Sequence, residues 1–434
     1  MGKLCLGVAR ENITPKIGGQ LYGYHPDVFS DSIHDDLTVT AFYFRQDQAQ
    51  ALMLSVTVCL IETELSRKIL TLIEEKTGIP KENCMLCATH THSGPNTAGE
   101  VGWGDIDWEY CNEILIPAIL SVAEKAMQST QPVKMAAAFG DSYVGINRRE
   151  LDENNNVILG QNPWGCMNPK MTVISFINAG GERVANMIHY GAHGTAAGIN
   201  HEITRDWSGI MVDTLEKQTG AMTAFFNGPE GDIGPRLSNK RTTGDITYVE
   251  EVGAMAALDA VRVFEGVFDY TDIDLAVSHR VLRIPLKKRM PLDEAKLALE
   301  KYKTATINSG AMIKAHLEDV IRSYEEGMAD QQDYEVEQTV IVLGNIVFAS
   351  SPYEMFSEIG MRIDRAFQTK SVLSLSNTNG SQGYFITKDA ICRGGYEVDM
   401  FLYGRLQQYH DDGDYYLFQE TVKHIQSAVN EREE

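Results

Sequence analysis

The chain has 434 residues, enough for a large core and, by length alone, for two or three domains of ~150 residues. Its 60 acidic against 38 basic side chains give a formal charge of −22, which opposes binding to nucleic-acid phosphates or anionic lipid, so nucleic acid is not an expected partner. No run reaches the ~20 apolar residues that a bilayer requires, and the best apolar stretch, 51–61, contains Ser55 and Thr57 and reads as a buried strand.

Residues 1–14 lack the long apolar run and small-residue cleavage site of a signal peptide, so export is not expected. Cys84 and Cys87 form a lone C-x-x-C inside an apparent strand, and the seven cysteines are odd in number. Free core thiols and a cytoplasmic location fit that usage.

In chain order, 51–60 has the apolar density of a central strand, and 62–76 follows with Leu65, Ile69, Leu72 and Ile73 on one helical face until Gly78 and Pro80 stop it. A second apolar strand at 84–88 delivers the polar run 89–96 at its carboxyl end, where open sheets take their ligands. A helix is expected over 112–127 and a strand over 133–139. Paired strands at 171–176 and 183–188 flank a turn, and the second leads into 190–195. A helix over 207–218 and a strand at 222–226 precede the glycine-rich run 227–236.

Beyond a helix at 249–264, residues 273–284 alternate as a half-buried strand, and 292–325 is mainly helical with a break at Ser309 and Gly310, an inserted hairpin over about 292–330. Strand composition returns at 335–348, a helix is expected from Pro352 through Ala366, and 372–375 is a short strand. The acidic run 411–414 reads as a solvated loop. No linker or repeat divides these pieces, so the expected fold is one elaborated α/β domain over 1–434, with a mixed-sheet core, flanking helices and a metal site at strand-exit loops.

The strongest chemical signal is Thr89-His90-Thr91-His92-Ser93-Gly94-Pro95, because two imidazoles two positions apart at a strand-like exit face the same way and suit zinc or a similar ion. Structural histidines are the ordinary alternative, so further ligands are needed. The run 189–195 offers His189 and His193, with His193 only slightly ahead on sequence, and Gly191 and Gly194 let the backbone pass close to a bound group. His201, Glu202, Arg205 and Asp206 lie just downstream and receive no ligand role. In 227–236, Asp232 could orient a histidine or a structural amide, but the G-K-S/T ending of a phosphate loop is absent, as is a G-x-S-x-G elbow anywhere.

Taken in order, Asn12-Ile13-Thr14-Pro15, Gly23-Tyr24, Ile33-His34-Asp35, the 88–95 run, Gly145-Ile146-Asn147-Arg148, His193-Gly194-Thr195, Gly231-Asp232, Pro352-Tyr353-Glu354 and Gly395-Tyr396-Glu397 resemble the catalytic region of the neutral/alkaline ceramidase family. The resemblance implies a zinc ion held by His90, His193, Glu354 and Tyr384. Tyr353 stands where the family has the glycine of P-G-E, and Gly234 stands where its G-D-x-S-P turn has a serine. A serine-dependent reaction is therefore not implied. The resemblance also stops before the C-terminal immunoglobulin-like domain of the ceramidases, which moves the expected substrate away from membrane ceramide.

The resulting expectation is a zinc-dependent hydrolase that uses metal-activated water on an amide or related carbonyl of a small soluble substrate. In it His92 contacts the reacting carbonyl or transfers a proton, and Arg148 binds an anionic substrate group, its alternative being a salt-bridged loop anchor. The competing expectation is a noncatalytic small-molecule or protein-binding module that kept the fold after losing the hydroxyl at Gly234.

Overall fold

The computed structural model describes residues 2–430. Its larger sheet has eight strands in the order Met222–Asn227, Arg183–Tyr190, Lys170–Asn178, Gln131–Asp141, Cys5–Asn12, Thr38–Gln46, Ala49–Val56 and Cys84–Ala88. Both edge strands join in parallel and the pairs between them are antiparallel, so the sheet is mixed. The two edges nevertheless approach each other. The Asn227 amide donates to the carbonyl of Thr89 at 3.2 Å, and the Ser55 hydroxyl donates to the carbonyl of Phe225 at 2.6 Å. The sheet thus curls until its ends meet, the accumulated result of strand twist, and the loops after Cys84–Ala88 and Arg183–Tyr190 come together.

The smaller sheet runs Leu275–Pro285, Asp333–Leu343, Ile346–Ser350 and Ser371–Leu375. Phe42, Phe44, Met53 and Phe226 of the larger sheet are fully buried with Ile341, Phe348 and Leu373 of the smaller one, so the core lies between two sheets. Each such side chain removed from water stabilises the fold by roughly 1.5–3 kcal/mol. Helices cover the outer faces. Thr63–Thr77 packs Leu65, Ile69 and Ile73 inward; the Glu62 carboxylate accepts from Leu65 N, and Gly78 ends the helix in the left-handed conformation at φ 74°. On the other side Trp207–Thr219 packs against Ile246–Phe264.

Three sequence expectations are corrected and one, the strand composition of 335–348, is sharpened. The break in the 292–325 stretch falls between Leu292–Tyr302 and Asn308–Glu325, leaving Ser309 and Gly310 in the first turn of the second helix, where backbone N–H groups lack helical partners anyway. The 335–348 stretch is two strands with a turn at Gly344, φ 60°. Pro352 does not start a helix, because Glu354–Met355 pairs in parallel with Tyr384–Phe385 and the helix begins only at Ser357. Finally, the acidic run leads straight into the helix Gly413–Asn430, with Asp414 buried and paired to Arg362 at 2.6 Å. Among the described residues no helix is long and apolar enough to cross a membrane.

Candidate metal centre

His90 follows the edge strand Cys84–Ala88, but its backbone turns to φ 70°, so the extended geometry expected for His90 and His92 is not what aligns them. Their rings still converge, Nε2 to Nε2, at 3.3 Å. Gly23, at φ 131°, lies against the His92 ring, and a Cβ there would come within 2.3 Å of Nδ1. Only glycine permits that approach.

His193 follows Arg183–Tyr190 and places its ring 4.5 Å from that of His90. Its Nδ1 donates to the carbonyls of Glu230 and Ile233 at 2.9 and 3.1 Å, and His90 Nδ1 lies 3.1 Å from the carbonyl of Cys59. Both rings are thereby oriented with Nε2 toward one carboxylate oxygen, Glu354 Oε2, at 3.5 Å from His90 and 3.1 Å from His193. Burial pushes both imidazoles well below the ordinary histidine range, with Glu354 opposing the effect at His90, which keeps their nitrogens available as neutral ligands. His189 takes no part, because its Nε2 donates to the carbonyl of Ser374 at 2.9 Å.

Glu354 and Tyr384 are brought together by the short parallel ladder between their strands. The Tyr384 hydroxyl lies 3.4 Å from His193 Nε2 and accepts from Arg148 at 2.9 Å. Burial raises the Tyr384 phenol well above its usual range, and Arg148 opposes that. Arg148 and Arg149 both bond Glu397, at 2.8 and 2.6 Å, and Glu397 is fully buried. Arg148 thus carries the salt bridge of a loop anchor while still reaching the site through Tyr384.

His90, His193 and Glu354 offer ligand atoms that lie within 4.8 Å of one another, as do Cys59, His90 and His92. Two neutral imidazoles, a carboxylate and a nearby phenol form a donor set that suits zinc, and the Nδ1 hydrogen bonds hold it ready. The residues present therefore fit a metal ion.

Asp232 serves a structural amide, accepting from Asn147 Nδ2 at 2.9 Å and from Ser357 N at 2.8 Å. Arg205 and Asp206 stay outside the centre: Arg205 pairs with Asp35 and Asp213, and Asp206 accepts from the backbone of Ala196, Ala197 and Trp207. Gly234 has room for a side chain, since a Cβ would meet only ordinary contacts at 3.6 Å from Arg148 and 3.8 Å from Thr242. Sequence reasoning missed Cys59, Glu100, Glu230 and Asn377. Asn377 bridges Glu230 and His90 at 2.6 and 3.2 Å, and burial, with Glu354 nearby, pushes the Glu230 carboxyl well up. Glu397 stood only as one landmark among several, without a role.

Comparison with known proteins follows the same outline. The chain matches no family model. It is 27% identical over 175 residues to neutral ceramidase of Pseudomonas aeruginosa, which covers 38% of this chain and 26% of that one. Against neutral ceramidase A of Dictyostelium discoideum it is 26% identical over 253 residues, covering 53% and 35%. The chain therefore spans about a third or less of the curated relatives it matches. The crystal structure of the Pseudomonas aeruginosa neutral ceramidase superposes with a TM-score of 0.76 at 19% identity, over 100% of this chain and 75% of that one. A ceramidase complexed with C2 gives 0.74 at 18%, over 100% and 76%. The chain has the neutral ceramidase fold. Its match to the crystal structure extends well beyond the segments matched by sequence, so the curled sheet, the smaller sheet and the loops that carry the histidines all fall within the shared fold.

Proposed function

We propose that the chain is a zinc-dependent hydrolase of an amide or related carbonyl in a small soluble compound. The observation that supports it most directly is the convergence of His90, His193 and Glu354, three residues remote in sequence, on one buried point that borders a cleft. Tyr384 completes the proposed ligand set. When bound, zinc supplies a Lewis acid for the carbonyl and lowers the pKa of water.

The chain's own residues do the remaining work. His92, whose Nε2 faces the same point as His90, is placed to hold the carbonyl oxygen or to carry a proton to the departing nitrogen. Arg148 borders the substrate through Tyr384, and Glu397 offsets its charge. Ceramide is not the default substrate in this reading, because a formal charge of −22 opposes approach to anionic lipid. A cytoplasmic setting accords with seven free cysteines.

The test is turnover of a panel of small amides and esters by the purified protein, before chelation, after it, and after zinc is restored. Product formation that disappears on chelation and returns with zinc is the expected outcome. Gly234, which leaves the turn without a hydroxyl, motivates the second reading, a noncatalytic binding module. Ligand binding without turnover at full zinc occupancy would establish that reading instead.

A further inference from the structure

We propose that the cleft bordering His90, His92 and Glu354 selects a substrate carrying a cationic nitrogen, an ammonium group received by Glu100 and by the rings of Tyr22, Trp103 and Tyr396. This names a substrate class for the proposed hydrolase and so rests on that reading.

The free space inside the cleft is roughly 30 Å³, room for a group the size of one or two water molecules. It can take an ammonium head group, with the rest of the substrate at the mouth, and not a long acyl chain. The same cleft is lined by His90, His92 and Glu354 and by Glu100 with Tyr22, Trp103 and Tyr396. The Glu100 carboxylate accepts a hydrogen bond from the Tyr22 hydroxyl at 2.7 Å. Among the described residues no lysine, arginine or histidine lies within ion-pair distance of Glu100. The arginines of the site are already committed, Arg148 and Arg149 both to Glu397. An anion placed among aromatic rings without a counter-charge is costly, and a cation is the ligand that relieves the cost. Burial and the neighbouring Glu354 raise the Glu100 carboxyl to about 7, against the opposing bond from Tyr22. A substrate bearing a carboxylate would meet repulsion from Glu100 and Glu354 together.

The wall is also built in advance. Gly99, Gly102 and Gly104 all have positive φ, at 64°, 96° and 102°, so the G-E-V-G-W-G stretch turns tightly enough to bring Glu100 and Trp103 to the same cleft. Gln20 and Asn96 donate side-chain N–H groups to the carbonyl of Trp103 at 2.6 and 3.4 Å, and Asn308 N donates to the carbonyl of Gly102 at 2.8 Å. A pocket ordered before binding loses less entropy when a ligand enters.

The experiment compares three N-acetyl amides of equal length with the zinc-loaded protein: an acetylated diamine, an acetylated amino alcohol and an acetylated alkylamine. The expected result is a kcat/KM for the ammonium-bearing substrate at least about tenfold above that for the methyl-ended one, carried mainly by KM. Glu100→Gln should shrink the preference to within about twofold, while Glu100→Asp, which keeps the charge, should retain part of it. Trp103→Leu should weaken it without removing it. Calorimetry with the free diamine and the protein as purified gives a readout independent of turnover, with saturable binding that weakens about tenfold in Glu100→Gln. Equal rates for the ammonium and methyl substrates, a better hydroxyl substrate, or a preference untouched in Glu100→Gln would each overturn the inference and leave the hydrolase reading standing. Diamine binding that depends on Glu100, with no amide turned over, would do the reverse.

Discussion

The two halves of the candidate metal centre are held by different forces. His90 and His193 come from loops after strands of the larger sheet, and main-chain carbonyls of Cys59, Glu230 and Ile233 fix their rings. Glu354 and Tyr384 come from a two-residue ladder beside the smaller sheet, and Tyr384 is tied to a buried charge cluster of Arg148, Arg149 and Glu397. Backbone carbonyls do not titrate and do not depend on a particular side chain. A buried ion cluster fails if any one member is lost. The histidine half should therefore depend mainly on its own residues, with Asn377 and Cys59 the side chains that reach His90 Nδ1, and the carboxylate half on residues that lie outside the ligand set.

The largest effect is expected at His90. His90→Ala should leave a folded protein that retains little zinc, with an affinity loss beyond the roughly 10–100-fold that follows removal of an outer partner, read by metal analysis after dialysis. Full zinc occupancy in this variant would remove His90 from the ligand set. His92→Ala should keep most of the metal and lose about 10²–10⁴-fold in turnover. Unimpaired turnover would reduce His92 to a packing residue.

Glu397→Gln tests the other half. It leaves two buried guanidinium groups without their shared partner, and urea denaturation should show a loss of about 3–5 kcal/mol. A loss below about 1 kcal/mol would mean that the arginines find other partners and that the two halves differ less than argued.

The smallest effect separates His193 from its neighbour. His189 is buried and its pKa is lowered to about 4, chiefly by burial, whereas an unfolded imidazole titrates near 6.5. The unfolded chain therefore takes up this proton first, so the stability contributed by neutral His189 is present above about 6.5 and is lost as pH falls toward 4, by roughly 1 kcal/mol per pH unit at most. His189→Gln keeps an N–H donor for the carbonyl of Ser374 and removes the titration. Its melting temperature should fall less between pH 7 and pH 5 than that of the unaltered protein, and equal falls would contradict the assignment.

The histidine half was also the more legible in the sequence. Period-two and helical patterns place most strands and helices of 51–264, because those elements bury continuous apolar faces. The T-H-T-H run stands out without any partner. What the pattern cannot carry is the curl of the sheet: Asn227 meets Thr89 across 138 residues, and nothing local at either position signals it. Glu354 and Tyr384 were identified only through family resemblance, since an isolated glutamate and tyrosine in a two-residue ladder have no period. The helix expected from Pro352 illustrates the same limit, because pairing of Glu354 with Tyr384 overrides the local preference. Glu100, Glu230 and Asn377 are single polar residues in loops and gain meaning only from what folds around them.

The helical pair Leu292–Tyr302 and Asn308–Glu325 contributes none of the proposed ligands, yet its second helix contacts two of the segments that line the cleft. Asn308 holds Gly102 in the loop of Glu100 and Trp103, and the same helix packs on Tyr396–Tyr403, where His316 meets the ring of Tyr403 at 5.3 Å. Changes confined to this pair would reshape the rim of the pocket while leaving the reacting groups in place. On the proposed function, the scaffold thereby divides the labour between one part that holds the ligands and another that shapes the entrance.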